Sequence, residues 1–168
     1  MSNLLTVEVL EALQPRPGTN LIITAGNNFR SDDGVGPYLY EALKGRASLP
    51  VLDAGYTPED IIDRAIEINP DYIIVIDAAD FRGRPGEVRI IEDALIPTST
   101  LSTHAIPLNV ITRLIEEETG ATTVFLGIQV CSVVPGEGLS PEVKGAADVL
   151  SQEIINLYNC SMEGGRDA

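Results

Sequence analysis

The clearest β-strand in the sequence is YIIVI at residues 72–76, which is followed by Asp77. Five consecutive apolar residues are typical of a strand buried on both faces of a parallel sheet. Similar short apolar runs occur at residues 21–25, 50–54 and 122–128, and residues 87–92 predict a fifth strand with one more polar face. Stretches with helical spacing of apolar residues lie beside these runs, at residues 4–13, 35–43, 58–68, 107–118 and 141–158. Alternating strands and helices predict a three-layer α/β/α sandwich with a mainly parallel, five-stranded sheet.

The composition excludes several classes of protein. The chain has 168 residues, of which 44% are hydrophobic and 21% are charged, as in a globular domain rather than a disordered segment. Its 11 Lys and Arg residues against 25 Asp and Glu residues give a net charge of −14, which disfavours binding to nucleic acid or to anionic membranes. No apolar run approaches the length that crosses a bilayer, so no membrane insertion is expected.

The length and the cysteine content indicate a single-domain protein of the cytoplasm. We expect residues 1–168 to form one domain, with an N-terminal helical extension at 1–20 and a frayed tail at 159–168. Cys131 and Cys160 are too few for a disulfide framework and lack metal-binding spacing. The N-terminal residues also lack the charge order of a secretory signal.

The loop after the first strand reads GNNFRSDDGVG at residues 26–36. It lacks the GxGxxG spacing of a dinucleotide loop and presents two carboxylates where a phosphate would lie, so nucleotide binding is disfavoured. Asp32 and Asp33 can be first-turn acids that complement the helix dipole, with Ser31 as the N-cap. Alternatively, one of them is a ligand that faces the crevice beyond the strand ends, where ligands bind in such sheets. The sequence leaves both interpretations open.

Asp77 and His104 add two further candidates for chemistry. Asp77, at the end of its apolar run, either accepts backbone N–H groups or projects into the crevice as a base or metal ligand. Asp80 fits a turn residue better, since its spacing from Asp77 differs from that of phosphoryl-transferring aspartate pairs. His104 is the single histidine and lies in a polar loop before a helix. Two acids and one histidine form the ligand set, with open positions, that a catalytic divalent metal requires.

Two other residues near the strand ends have less specific interpretations. Gln129 follows the strand at 122–128 and either orients a ligand or caps that strand. Cys131 fits a small buried residue better than a nucleophile. A serine triad is disfavoured because the sequence has no GxSxG elbow.

Several motifs resemble the nickel-iron hydrogenase maturation endopeptidases. The loop at 26–36 is similar to their GNxxxxDDGxG signature, and the segments at 53–59, 74–89, 102–109 and 125–129 are similar to later motifs in the same order. The resemblance extends from Leu21 to Tyr158 and is nearest to the branch that processes the hydrogenase 3 large subunit. It implies a twisted five-stranded sheet whose one antiparallel strand, at an edge, is Glu87–Glu92.

The resemblance also implies a function and a site. It implies an endopeptidase that removes a C-terminal extension from the nickel-loaded precursor of a hydrogenase large subunit. The catalytic and metal-contacting residues that it implies are Asp33, Asp77 and His104, with either aspartate able to serve as general base. Nickel would be supplied by the substrate, without an organic cofactor, and the enzyme is expected to be a monomer.

Two alternative functions remain open from the sequence. One is a nickel-sensing or chaperone-like partner that binds the hydrogenase precursor without cleaving it. The other is a small-molecule hydrolase on a related scaffold, since a fold does not determine a function. An enclosed apolar pocket would favour the hydrolase, whereas a protease that acts on a folded substrate needs an open cleft.

Overall fold

The computed structural model describes residues 4–55, 57–92 and 106–163, with residues 161–163 described by backbone alone. The strands are β1 (Asn20–Thr24), β2 (Val51–Asp53), β3 (Tyr72–Ala79), β4 (Val88–Ile91) and β5 (Thr122–Gln129). The described α-helices are α1 (Val7–Leu13), α2 (Val35–Leu43), α3 (Ile62–Ile68), α4 (Leu108–Thr119) and α5 (Pro141–Glu163). Two 3-10 helices, Ser31–Gly34 and Pro58–Ile61, lead into α2 and α3.

The sheet has the strand order β2-β1-β3-β5-β4. All neighbouring strands are parallel except β4, which lies antiparallel to β5 at one edge. The five-stranded, mainly parallel sheet with an antiparallel edge strand is therefore confirmed. The chain passes from β1 outward to β2 and then returns to β3 on the other side of β1. The strand order thus reverses between β1 and β3, which is where ligands bind in open α/β sheets.

Helices cover both faces of the sheet because its central strands are apolar on both sides. Ile22 of β1 and Ile74 of β3 pack in the cluster that α1, α2 and α5 cover. Ile23 and Val75, the next residue in each strand, point to the opposite face, which α3 and α4 cover. All four side chains are fully buried. This arrangement confirms the three-layer architecture.

Element boundaries differ from the predicted ones at several places. β3 does not end at Asp77, as predicted, but continues to Ala79, because residues 77–79 pair with the last residues of β5. The predicted helix at 58–68 begins as a 3-10 helix before it becomes α3. α5 continues to Glu163, whereas the sequence predicts a helix that ends at Tyr158. Among the helices of the described ranges, none combines the length and the apolar character needed to cross a membrane.

Candidate active site

The loop between β1 and α2 doubles back on itself and so positions Asp33 beside the end of the strand. Gly26 has φ +146°, and a Cβ on it would lie 2.0 Å from the Asp33 carbonyl oxygen. The Asn27 N–H donates to that same oxygen at 3.0 Å. A Cβ on Gly36 would lie 1.9 Å from the Ala25 carbonyl oxygen. Only glycine permits these two close approaches, and they fix the 3-10 helix that carries Asp33 at the point of strand reversal.

Asp33 and Asp77 are brought together at this point, and both are almost completely buried, with 4% exposure each. One Asp77 carboxylate oxygen, Oδ1, accepts the Ala78 N–H at 2.8 Å. The other, Oδ2, is buried without a hydrogen-bond partner in the described part of the chain. Burial raises the pKa of the Asp77 carboxyl well above its usual range, the Asp33 charge raises it further, and the Ala78 N–H opposes both.

This pair forms a donor set that suits a divalent cation. A cation beside the buried Asp77 oxygen would supply the partner that the described residues do not, and it would cancel the repulsion from Asp33. In the described ranges no group of three or more His, Cys, Asp or Glu side chains is placed to hold a metal ion. His104, the predicted third member of the site, lies outside the described residues.

Asp32 has a different role from its neighbour. Its side chain is fully buried and accepts hydrogen bonds from the N–H groups of Cys131 and Ser132, at 2.8 and 3.1 Å. The N–H and the hydroxyl of Ser140 donate to it at 2.7 and 2.9 Å. Asp32 therefore ties the loop after β5 to the 3-10 helix. The predicted N-cap at Ser31 is wrong, because its hydroxyl donates to the Val134 carbonyl at 2.7 Å.

The structure also decides the interpretation of three residues near the ends of β3 and β5. The Gln129 side chain supports the loop after β3: its oxygen accepts the N–H groups of Phe81 and Gly83, and its amide donates to Asp80 at 3.2 Å. Asp80 also accepts the Arg82 N–H, as a turn residue does. Cys131 is exposed, so the prediction that it is buried is wrong.

A cleft of about 640 Å³ lies beside the 3-10 helix, bounded by α2, β2 and the start of α5. Its wall includes Ser31 and Gly34, the residues on either side of Asp32 and Asp33. Its exposed rim includes Asn28, Glu41 and Lys144. The cleft is therefore open to solvent. This shape favours a protein substrate over a small molecule in an enclosed pocket.

Asp53, at the end of β2, lines the same cleft. It accepts hydrogen bonds from the Thr24 hydroxyl and the Gly55 N–H, each at 3.1 Å. Partial burial raises the pKa of its carboxyl, and these two donors oppose that effect. The sequence prediction assigns no role to Asp53. The sequence signal for Asp53 is the same as the signal for Asp77: an acid at the end of an apolar strand.

Comparison with known proteins identifies the family. The family model for HycI, a hydrogenase maturation protease, matches residues 35–157. The chain belongs to this family. It is similar to the hydrogenase 3 maturation protease of Escherichia coli K12, with 32% identity over 139 residues that cover 81% of this chain and 88% of the relative.

Solved structures of the family share the fold of this protease. The crystal structure of HycI from Thermococcus kodakarensis KOD1 matches with a TM-score of 0.77 and 29% identity, covering 90% of this chain and 99% of that one. The solution structure of the endopeptidase HycI from Escherichia coli matches with a TM-score of 0.73 and 31% identity, covering 82% and 90%. Membership in the family makes this chain a hydrogenase maturation protease with endopeptidase activity.

Proposed function

We propose that this protease removes a C-terminal extension from the nickel-loaded precursor of a hydrogenase large subunit and recognises the precursor through its nickel. The observation that carries the proposal is the buried pair of Asp33 and Asp77, in which one Asp77 oxygen has no partner in the described part of the chain. The open cleft, whose wall includes Gly34 directly after Asp33, supports a protein substrate. The family membership supports a hydrogenase precursor.

The electrostatics of the pair explain why cleavage would depend on nickel. Without a cation, burial and the Asp33 charge both oppose ionisation of Asp77. Nickel carried by the precursor would favour the ionised form of Asp77 and so bind the two carboxylates together. Carboxylate oxygens are too hard to remove nickel from thiolate ligands of the substrate. A precursor without nickel would gain none of this energy.

The residues of the pair also supply the proton transfer that peptide hydrolysis needs. One carboxylate takes a proton from the attacking water, which adds to the scissile carbonyl, and the leaving amine then accepts that proton. Nickel held between these carboxylates would supply Lewis-acid chemistry that polarises the carbonyl or the water. His104 is proposed as the third nickel-contacting residue, on the basis of its place in the family's histidine motif.

Mass spectrometry of the precursor, incubated with this protease, tests the proposal. The cognate large-subunit precursor is prepared with and without inserted nickel, and its mass is followed over time. We expect a short C-terminal peptide to be lost only from the nickel-loaded form. Asp33→Asn and His104→Ala should block this loss, whereas Asp63→Asn, a change at an exposed aspartate of α3, should not.

Two outcomes would contradict the proposal. Equal cleavage of both precursor forms would exclude recognition through nickel. A stable complex with the nickel-loaded precursor, without any loss of mass, would support the alternative of a partner that binds without cutting.

A further inference from the structure

The loop between β3 and β4, residues 80–87, lies at the same edge of the sheet as the aspartate pair. Asp77 of β3 pairs with Gly127 of β5, and Val88, the first residue of β4, pairs with Ile128. β4 is separated from β3 by one strand, so the loop crosses the end of β5 over about 10 Å. The loop therefore extends the surface around the candidate active site toward β4.

Three arginines lie close together in this acidic protein, two in the loop and one at the start of β4. Arg82, Arg84 and Arg89 are all exposed, and they are three of only 11 Lys and Arg residues in a chain of net charge −14. The two acidic residues beside these arginines, Asp80 and Glu87, accept hydrogen bonds from the same segment. Asp80 accepts the Arg82 N–H at 3.1 Å, and Glu87 accepts the Arg84 N–H at 3.0 Å and the Arg89 side chain at 2.6 Å. In the described ranges, neither Arg82 nor Arg84 forms a salt bridge.

The arginines are presented by a fixed backbone. The Gln129 side-chain oxygen accepts two N–H groups of the loop, and its backbone carbonyl accepts the Gly86 N–H at 2.8 Å. Arg82 itself has φ +60°, a conformation that costs a non-glycine residue about 1 kcal/mol. Glycine at this position would remove that cost but also the guanidinium.

A groove of about 710 Å³ runs beside these side chains. It is lined by the three arginines, by one acid, Glu87, and by Leu4 and Thr6 from the segment before α1, so the lining carries a net positive charge. Leu4 is 50% exposed, so the groove combines an apolar wall with guanidinium groups. Its volume suits several residues of an extended peptide better than an inorganic anion. Guanidinium groups bind carboxylates through paired hydrogen bonds.

We propose that this groove, which we name the arginine groove, docks an acidic segment of the large-subunit precursor at the same edge of the sheet as the aspartate pair. The proposal rests on the proposed function for the identity of the partner. Charge complementarity supports it, because the rest of this acidic enzyme repels an acidic segment and the arginine groove attracts it. Such an arrangement orients the precursor during encounter and holds it while the extension enters the site.

A charge-reversal variant tests the arginine groove. In Arg82→Glu/Arg84→Glu, we expect the Kd for the nickel-loaded precursor and the KM for its cleavage each to rise about tenfold at low salt. The double variant Arg82→Lys/Arg84→Lys keeps the charge but loses the paired hydrogen bonds, so its Kd and KM should fall between those of the wild type and those of the charge-reversal variant. Arg113→Glu, at an exposed arginine of α4, controls for the reversal of one charge elsewhere on the surface and should change neither value. Circular dichroism of each variant verifies that it folds.

The dependence on salt provides a second readout. Raising the NaCl concentration should weaken precursor binding to the wild type more than to the charge-reversal variant. Unchanged Kd and KM in a folded charge-reversal variant, or an equal change in Arg113→Glu, would overturn the docking proposal. A wild-type enzyme that binds the precursor without cleaving it would overturn the proposed function instead, and the Kd values would still decide the docking.

Discussion

Asp32 and Asp77 are buried aspartates at the same edge of the sheet, but their surroundings differ completely. Asp32 has 0% exposure and accepts four hydrogen bonds from the loop after β5. Asp77 has 4% exposure, accepts one hydrogen bond, and faces the charge of Asp33. The number of donors, rather than the degree of burial, separates the two sites.

The difference indicates what each carboxylate contributes. Donors that surround a buried carboxylate replace the water it has lost, so Asp32 stabilises the fold. A buried carboxylate with an oxygen that lacks donors costs free energy, and a chain retains it where its chemistry is needed. Asp32 is thus a structural clamp, and we propose that Asp77 is the reactive group. Four predictions test this contrast.

Replacing Asp77 by asparagine should have the largest effect. Asp77→Asn has nearly the same shape but cannot take a proton or attract a cation, so we expect cleavage of the nickel-loaded precursor to slow by at least about 10³-fold. The kcat/KM value from a precursor-cleavage time course measures this. A reduction smaller than about tenfold would remove Asp77 from the proposed catalytic role.

Replacing Asp32 by alanine should destabilise the fold instead. In Asp32→Ala the four donors lose their acceptor, and we expect the free energy of unfolding to fall by about 3 to 5 kcal/mol. Urea denaturation measures this loss. Asp63→Ala, at an exposed position, serves as the control and should stay within about 0.5 kcal/mol of the wild type. Equal stability of the two variants would contradict the clamp.

Asp77→Asn should stabilise the protein while it inactivates it. The folded state raises the pKa of Asp77 above its value in the unfolded chain, so ionisation at neutral pH favours unfolding. We expect Asp77→Asn to be more stable than the wild type by about 1 to 3 kcal/mol at pH 7. The gain should shrink as the pH falls toward about 4, the ordinary aspartate pKa, because Asp77 is then protonated in both states. Urea midpoints measured across this pH range test the sign, and a loss of stability at pH 7 would contradict it.

Tyr158 of α5 provides a comparison with Asp77. It is also a buried group whose oxygen lacks a hydrogen-bond partner in the described residues, but no second acid lies beside it. Its hydroxyl has no hydrogen-bond partner in the described residues, and burial raises its pKa to about 12, with a smaller contribution from Tyr72. We expect Tyr158→Phe to change stability by less than about 1 kcal/mol near pH 7.

The stability of the wild type and that of Tyr158→Phe should differ more at alkaline pH. The unfolded chain ionises this tyrosine near pH 10, before the folded state does, so the wild type loses stability as the pH rises from about 10 to 12. Tyr158→Phe should lose less over that interval, as thermal unfolding at each pH would show. Identical curves for the two proteins would indicate that the hydroxyl of Tyr158 reaches solvent.

The sequence predicts the fold well because the signals for it are local. Short apolar runs and the residues that end them locate the five strands, and helical spacing of apolar residues locates the helices between them. Boundaries that depend on pairing are less accurate. The sequence predicts that Asp77 ends its strand, but the strand continues to Ala79, because β5 extends to Gln129 and continues the pairing.

The candidate site could be predicted only in part. Its position at the strand ends follows from the parallel sheet, but the choice between Asp32 and Asp33 does not. That choice depends on donors from the loop after β5, the first of which, the Cys131 N–H, lies 99 residues after Asp32 in the chain. The exposure of Cys131 and the role of Gln129 depend on the same tertiary packing. The role of His104 stays a prediction.

The close contact between Gly36 and Ala25 limits how far α2 and the preceding turn can lie from the end of β1. A side chain at position 36 would collide with the Ala25 carbonyl oxygen, so it would push α2 and the preceding turn away from the strand. A displacement of a reacting group by about 1 Å lowers rates on the order of a hundredfold. One added methyl group, far too small to block the cleft, could therefore misalign Asp33 with Asp77. The alignment of the two carboxylates thus depends on the absence of a Cβ at Gly36 as well as on the acids themselves.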